Sequence, residues 1–270
     1  MMKPLLAAGK LITEFAHHLS NGTVPDNFTM RRMEREISYA QNEPTIYYTA
    51  TAFLYAVKGD LNHMISTFEY ACQWVKDASV GKNYLFALVC TYSSAKYSEV
   101  AIRLASVYPY SAYLNLCAAF ESLRLGRRDN FLENFDNTIK LINDASLREE
   151  LIFLRDFEDQ RLSSAYDVSG CNQEQFVLIS RFIHQILDKF KVKKYATAID
   201  ASCGGSYRTV CYDTSVEKIV DMNFALVDLI CDTTQLDNCQ LTPQFLWEEV
   251  KDNSQENSED DIFTKVARYS

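Results

Sequence analysis

Glycine and proline are scarce. The 270-residue chain holds 8 Gly and 5 Pro, too few for a collagen-like or low-complexity protein, and its 47% apolar residues exclude a mostly disordered one. No apolar run approaches the ~20 residues needed to span a bilayer. Cationic residues are outnumbered: 27 Lys plus Arg stand against 36 Asp plus Glu, for a net charge of −9. That balance argues against a partner held non-specifically through its phosphates. The length suits one large domain or two smaller ones.

Familiar chemical signatures are also missing. There is no GxxxxGK[ST] or GxGxxG phosphate-binding loop, no GxSxG nucleophile elbow and no HExxH or HxxxH metal pair. The eight cysteines, at 72, 90, 117, 171, 203, 211, 231 and 239, include no CxxC and no zinc spacing with the four histidines. Cys72, Cys90 and Cys117 fall in apolar helical patterns, where a thiol acts as a small hydrophobe. The apolar stretch near the start is broken at Lys10, which is short for an export signal. The expectation is a cytoplasmic chain with all its thiols reduced. Cys203, beside two glycines, is the one candidate nucleophile, with His184 as its base. Nothing in the sequence brings the two together. The expectation is therefore no catalytic residue, no metal, no cofactor and no enzyme.

Apolar residues recur at three- and four-residue spacing through most of the chain, the signature of amphipathic helices. Helices are expected near 4–19, 28–41, 45–58, 61–76, 81–94, 97–108, 111–125, 129–143, 146–164 and 173–190, punctuated by Pro25, Pro44 and Pro109. This is a helical array.

Part of that array repeats. Tyr48, Ala52, Tyr55, Gly59, Phe68 and Ala71 occupy places that resemble a tetratricopeptide repeat, with Met64 where the family usually has alanine. A second copy, placed 36 residues on, aligns Tyr84 with Tyr48, the Ala95-Lys96-Tyr97 turn with Gly59, and Val100, Leu104 and Val107 with Met64, Phe68 and Ala71. A third, 67 residues after the first, aligns Ala119, Gly126, Phe131, Phe135 and Thr138. The resemblance covers about residues 45–143. It implies a mainly α, right-handed solenoid of helical hairpins over residues 1–192, with a concave groove lined by the first helix of each hairpin. Carried onto this chain, the groove includes Phe53, Lys82, Val89, Tyr92, Tyr113, Phe120 and Arg124. The turn with Ala95-Lys96-Tyr97 is also similar to repeat-type secretion chaperones.

From 193 the pattern changes. Residues 194–200 and 207–212 are β-rich and flank Gly204-Gly205, which reads as a hairpin. Thr214-Ser215-Val216-Glu217 is a capping-box pattern before a helix at 215–231, with a third strand as the alternative. Thr242-Pro243 reads as a helix start. Residues 193–251 form a small α+β unit that packs on or caps the helices. Residues 252–270 form an acidic flexible tail ending in an amphipathic Ile262–Tyr269, either a docking peptide or a frayed end.

The repeat reading implies a surface and not a reaction: a non-catalytic adaptor or chaperone-like protein that holds a protein or peptide partner in an apolar groove. An oligomer is compatible with this. The alternative is a nucleic-acid-associated regulator, for which Arg31, Arg32 and Arg35 and the cluster Lys191, Lys193 and Lys194 are the basic candidates. On the groove reading Phe53→Glu and Tyr113→Glu abolish partner capture and leave helicity intact, whereas loss of fold would mean the chain fills the groove itself.

Overall fold

The computed structural model describes residues 9–249 and 258–269. Ten helices come first: α1 (Lys10–Asn21), α2 (Asn27–Tyr39), α3 (Pro44–Val57), α4 (Leu61–Trp74), α5 (Ala78–Cys90), α6 (Ser94–Val107), α7 (Ala112–Arg124), α8 (Arg128–Leu141), α9 (Ala145–Ser169) and α10 (Gln173–Phe190). They correspond to the expected ten, with shifted ends. Short polar side chains start six of them. Asp26, Asp60, Asp77, Ser111 and Asp144 each accept a backbone N–H of their own first turn, and Asn172 and Gln175 form a capping box on α10. Helix α6 has no side-chain cap of its own. Asp188 of α10 accepts from the N–H groups of Ser94 (2.5 Å) and Ala95 (3.3 Å) instead, tying elements 94 residues apart.

Neighbouring helices pack in sequence order, α3 on α4, α5 on α6, α6 on α7 and α7 on α8, an arrangement compatible with a helical-repeat solenoid. Three of the turns share one geometry. Gly59, Tyr92 and Gly126 all have left-handed backbone, with φ of 76°, 54° and 66°. Each makes the same pair of bonds back into its helix: Gly59 N–H to Ala56 and Asp60 N–H to Tyr55; Tyr92 to Val89 and Ser93 to Leu88; Gly126 to Leu123 and Arg127 to Ser122. Counted from 59 to 92 and from 92 to 126, the period is 33 and then 34 residues.

This corrects the register of the second copy. Its turn is Tyr92; Ala95-Lys96-Tyr97 lies in the first turns of α6. Tyr97, Ala101 and Leu104 then answer Met64, Phe68 and Ala71, and all six are buried. A tyrosine in left-handed backbone carries a steric cost that glycine does not. Here the Lys193 ammonium lies 4.4 Å from the centre of the Tyr92 ring, a contact that helps hold it.

The C-terminal part is a three-stranded mixed sheet, β1 (Tyr195–Asp200), β2 (Ser206–Cys211) and β3 (Thr242–Trp247), in the order β1-β2-β3. The β1–β2 pair is the expected antiparallel hairpin. Residues 216–231 are a helix, α11 (Val216–Cys231), and not a strand. The Thr242-Pro243 expectation is overturned: these residues open β3, which pairs parallel to β2. Proline fits there because β3 is an edge strand, and α11 is the crossover that a parallel pair requires. Asn223 of α11 fastens the outer edge of β3, donating to the Phe245 carbonyl (2.9 Å) and accepting its N–H (2.8 Å).

Cys171 and Cys239 are disulfide-bonded, which overturns the expectation of eight free thiols. The argument for a cytoplasmic chain rested on that expectation and no longer carries it. No helix among the described residues is long and apolar enough to cross a membrane. The apolar core falls into two clusters that share α7. One runs from α1 to α7; the other runs from α7 through α10 into the sheet and α11.

The repeat turns separate backbone strain from crowding. A Cβ at Gly126 would stand 2.5 Å from the Tyr166 hydroxyl and 2.6 Å from the Phe176 ring, whereas one at Gly59 meets nothing within 4 Å. Gly126→Ala is expected to cost about 2–4 kcal/mol in urea denaturation, and Gly59→Ala only about 1–2 kcal/mol. Equal losses would contradict the packing at Gly126.

Candidate functional site

Helix α7 is buried on every side from Ala112 to Leu123, which marks it as a core helix and not a surface one. Part of its cover comes from the end of the chain. Helix α12 (Ser258–Val266), followed by a 3-10 turn over Ala267–Tyr269, packs on α7. Residues 252–257 and 270 of the expected tail lie outside the described residues; residues 258–266 are helical, and they pack on α7.

The contact is aromatic. Phe263 places its ring 5.8 Å from Tyr113 and 5.3 Å from Phe120, and Phe120 in turn packs on Phe135 of α8 at 5.9 Å. Tyr113 and Phe120 are seven residues apart and so share one face of α7. Ile262 and Val266 are buried beside Phe263. At the rim Lys265 pairs with Glu150 of α9 (3.0 Å) and with Asp261 (2.7 Å). These bonds hold its ammonium pKa above the usual lysine value. Lys82 of α5 lies 5.8 Å from the centre of the Tyr113 ring, and burial lowers its pKa.

The seven expected groove residues thus separate. Tyr113 and Phe120, with Lys82 beside them, lie together against the chain's own C-terminal helix. Val89 and Tyr92 are half-buried at the far end of α5. Phe53 is fully buried, with the rings of Phe68 and Phe86 at 6.0 and 5.9 Å. It offers nothing to a partner, so a charge there breaks the core and does not merely empty a groove. Its spacing placed it on a helix, which is α3, but did not show that its ring is turned toward α4 and α5.

Arg124 is committed to an internal polar network. It pairs with the buried Glu121, donates from Nε to the Thr197 hydroxyl (3.0 Å) and lies 5.9 Å from the centre of the Tyr195 ring. This network joins α7 to β1. Burial pushes the Tyr195 pKa up to about 12. His184 of α10 is buried in the same region, and desolvation lowers its pKa against the opposing pull of Glu121. Cys203, by contrast, is exposed in the β1–β2 turn with φ 53°. The charges acting on His184 are Glu121, Arg124 and Asp188. Among the described residues no group of His, Cys, Asp and Glu is arranged to hold a metal ion. In the basic cluster on α2, Arg32 is paired with Glu14 and Glu36.

Comparison with known proteins finds no protein-family model, no curated protein and no solved structure that matches the chain.

The buried histidine makes a pH prediction. Its folded pKa lies below the unfolded value, so on acidification the unfolded chain takes up a proton that the folded chain refuses. Its contribution to stability is therefore constant above about pH 7 and falls as pH drops through about 6.5. Replacing it (His184→Gln) should flatten the stability–pH curve between pH 7 and 5 relative to wild type, measured by urea unfolding. Parallel curves would contradict this.

Proposed function

We propose that the protein is a non-catalytic interaction module: a right-handed, tetratricopeptide-like stack whose groove over α7 receives a short amphipathic helix. The repeat assignment is supported by the left-handed turns at Gly59, Tyr92 and Gly126, whose period is that of the family. The groove reading is carried by one observation, the seating of Phe263 between Tyr113 and Phe120. A helix that buries Ile262 and Val266 and half-buries Phe263 on one side, and presents Lys265 to Glu150 on the other, outlines the ligand the site accepts.

A protein partner with this pattern would compete with the resident helix. Because that helix belongs to the same chain, it acts at a high effective concentration, about millimolar for a short tether. Only a partner with better complementarity, or one that arrives when the tail is withdrawn, gains entry. The alternative of a nucleic-acid-associated regulator has less support, since Arg32 is neutralised by Glu14 and Glu36.

The test uses a fluorescein-labelled peptide of residues 258–270 and the full-length protein. Wild type should bind it weakly, because its own tail competes. The Phe263→Asp protein, with its tail released, should bind the wild-type peptide at least tenfold more tightly by fluorescence anisotropy. Equal binding by the two proteins, or none by Phe263→Asp while its helical circular dichroism is unchanged, would refute the groove.

A further inference from the structure

Helix α11 carries two apolar faces. Ile219, Met222 and Leu226 are buried, where the helix packs on α10 and β3. On the other side Val216, Val220, Phe224 and Val227 are 48–67% exposed, and their spacing of four, four and three residues aligns them in one stripe. Trp247, at the end of β3, extends the surface. It is 43% exposed, and its indole N–H donates to the carbonyl of Thr214 (3.2 Å), just ahead of α11. Scattered exposed apolar residues are ordinary, but a contiguous stripe of this kind marks an interaction site.

The charges beside the stripe indicate what covers it. Glu217, Asp221, Asp228 and Asp232 run along one flank at the same helical spacing, and all four are exposed. None of them forms an ion pair among the described residues. Asp228 and Asp232 stand at the C-terminal end of α11, where the helix dipole disfavours negative charge. Glu217, in the first turn of α11, is favoured by the helix dipole and by a hydrogen bond with Ser215, whereas Asp221, Asp228 and Asp232 have no ion-pair partner among the described residues and run along the exposed apolar stripe. We propose that this face docks an amphipathic helix of another protein, one with a matching apolar stripe and a row of Lys or Arg along one edge. Apolar burial supplies the affinity, and the carboxylate row selects basic partners and sets their orientation. Antiparallel pairing with a second copy would bring the two carboxylate rows face to face. An anionic membrane surface would repel them.

The surface is separate from the groove over α7, and its test distinguishes the two. The probe is an 18-residue synthetic helix with a leucine stripe flanked by lysines. Two controls carry glutamates in place of the lysines, or serines in place of the leucines. Binding to the full-length protein is read by anisotropy at near-physiological salt. The lysine peptide should bind at least tenfold more tightly than either control. The triple variant Val220→Ser, Phe224→Ser, Val227→Ser should lose that binding at least tenfold with an unchanged melting curve, since these positions are exposed. The charge-reversed variant Asp221→Lys, Asp228→Lys, Asp232→Lys should prefer the glutamate peptide. The peptide of residues 258–270 should bind the triple variant as it binds wild type, which separates this face from the groove over α7. The proposal is overturned if the lysine and glutamate peptides bind alike, or if the α11 variants bind as wild type does. It is also overturned if wild type sediments as a dimer that Phe224→Ser dissolves, or if the stripe binds phosphatidylcholine vesicles and not the peptide.

Discussion

The burial of α7 on all sides is the constraint on which the rest of the structure depends. A helix with no exposed face cannot end a stack or lie on its surface. It needs α5 and α6 before it, α8 after it, and something across the side that these leave open. The C-terminal helix covers that side. Tyr113 and Phe120 are 7% and 2% exposed with the tail in place, and removing Phe263 would return aromatic surface of both to water. That side of α7 and the C-terminal helix are thus two halves of one internal interface.

The same helix also couples the two apolar clusters. Its Tyr113 belongs to the first and its Phe120 to the second. Glu121 and Arg124 carry the connection on into β1 through Thr197 and Tyr195. A buried ion pair of this kind adds little net stability, because desolvation opposes it, but losing one partner leaves an uncompensated charge. It fixes how the sheet unit sits on the helices. Charge is handled differently at the surface, where Asp221, Asp228 and Asp232 of α11 have no ion-pair partner among the described residues.

Much of the helical part was legible in the sequence because amphipathic spacing is a local signal. The register of the second repeat was not. The turn there is made by Tyr92, an aromatic in left-handed backbone, and no turn-forming residue marks the place; Lys193, about a hundred residues on, holds it. Thr242-Pro243 carries the local marks of a helix start, and only its parallel pairing with β2 makes it a strand. The Cys171–Cys239 bond joins residues 68 apart that share no recognisable spacing. The tail was readable as amphipathic, but its seat on α7 depends on tertiary contact. Among the expected groove residues, Tyr113 and Phe120 lie against Phe263 and Phe53 lies in the core, a difference that periodicity does not show because it does not tell which neighbour each side of a buried helix faces.

The central claim is that α12 sits on α7 through Phe263, and a double-mutant cycle tests it directly. Tyr113→Ala, Phe263→Ala and the double variant are made in the full-length protein, and their unfolding free energies are compared. The account predicts a coupling of about 0.5–1.5 kcal/mol between the two rings, with the double variant less destabilised than the sum of the single variants. Strict additivity, within about 0.3 kcal/mol, would mean that the two rings do not touch and that the groove over α7 is not occupied by the tail.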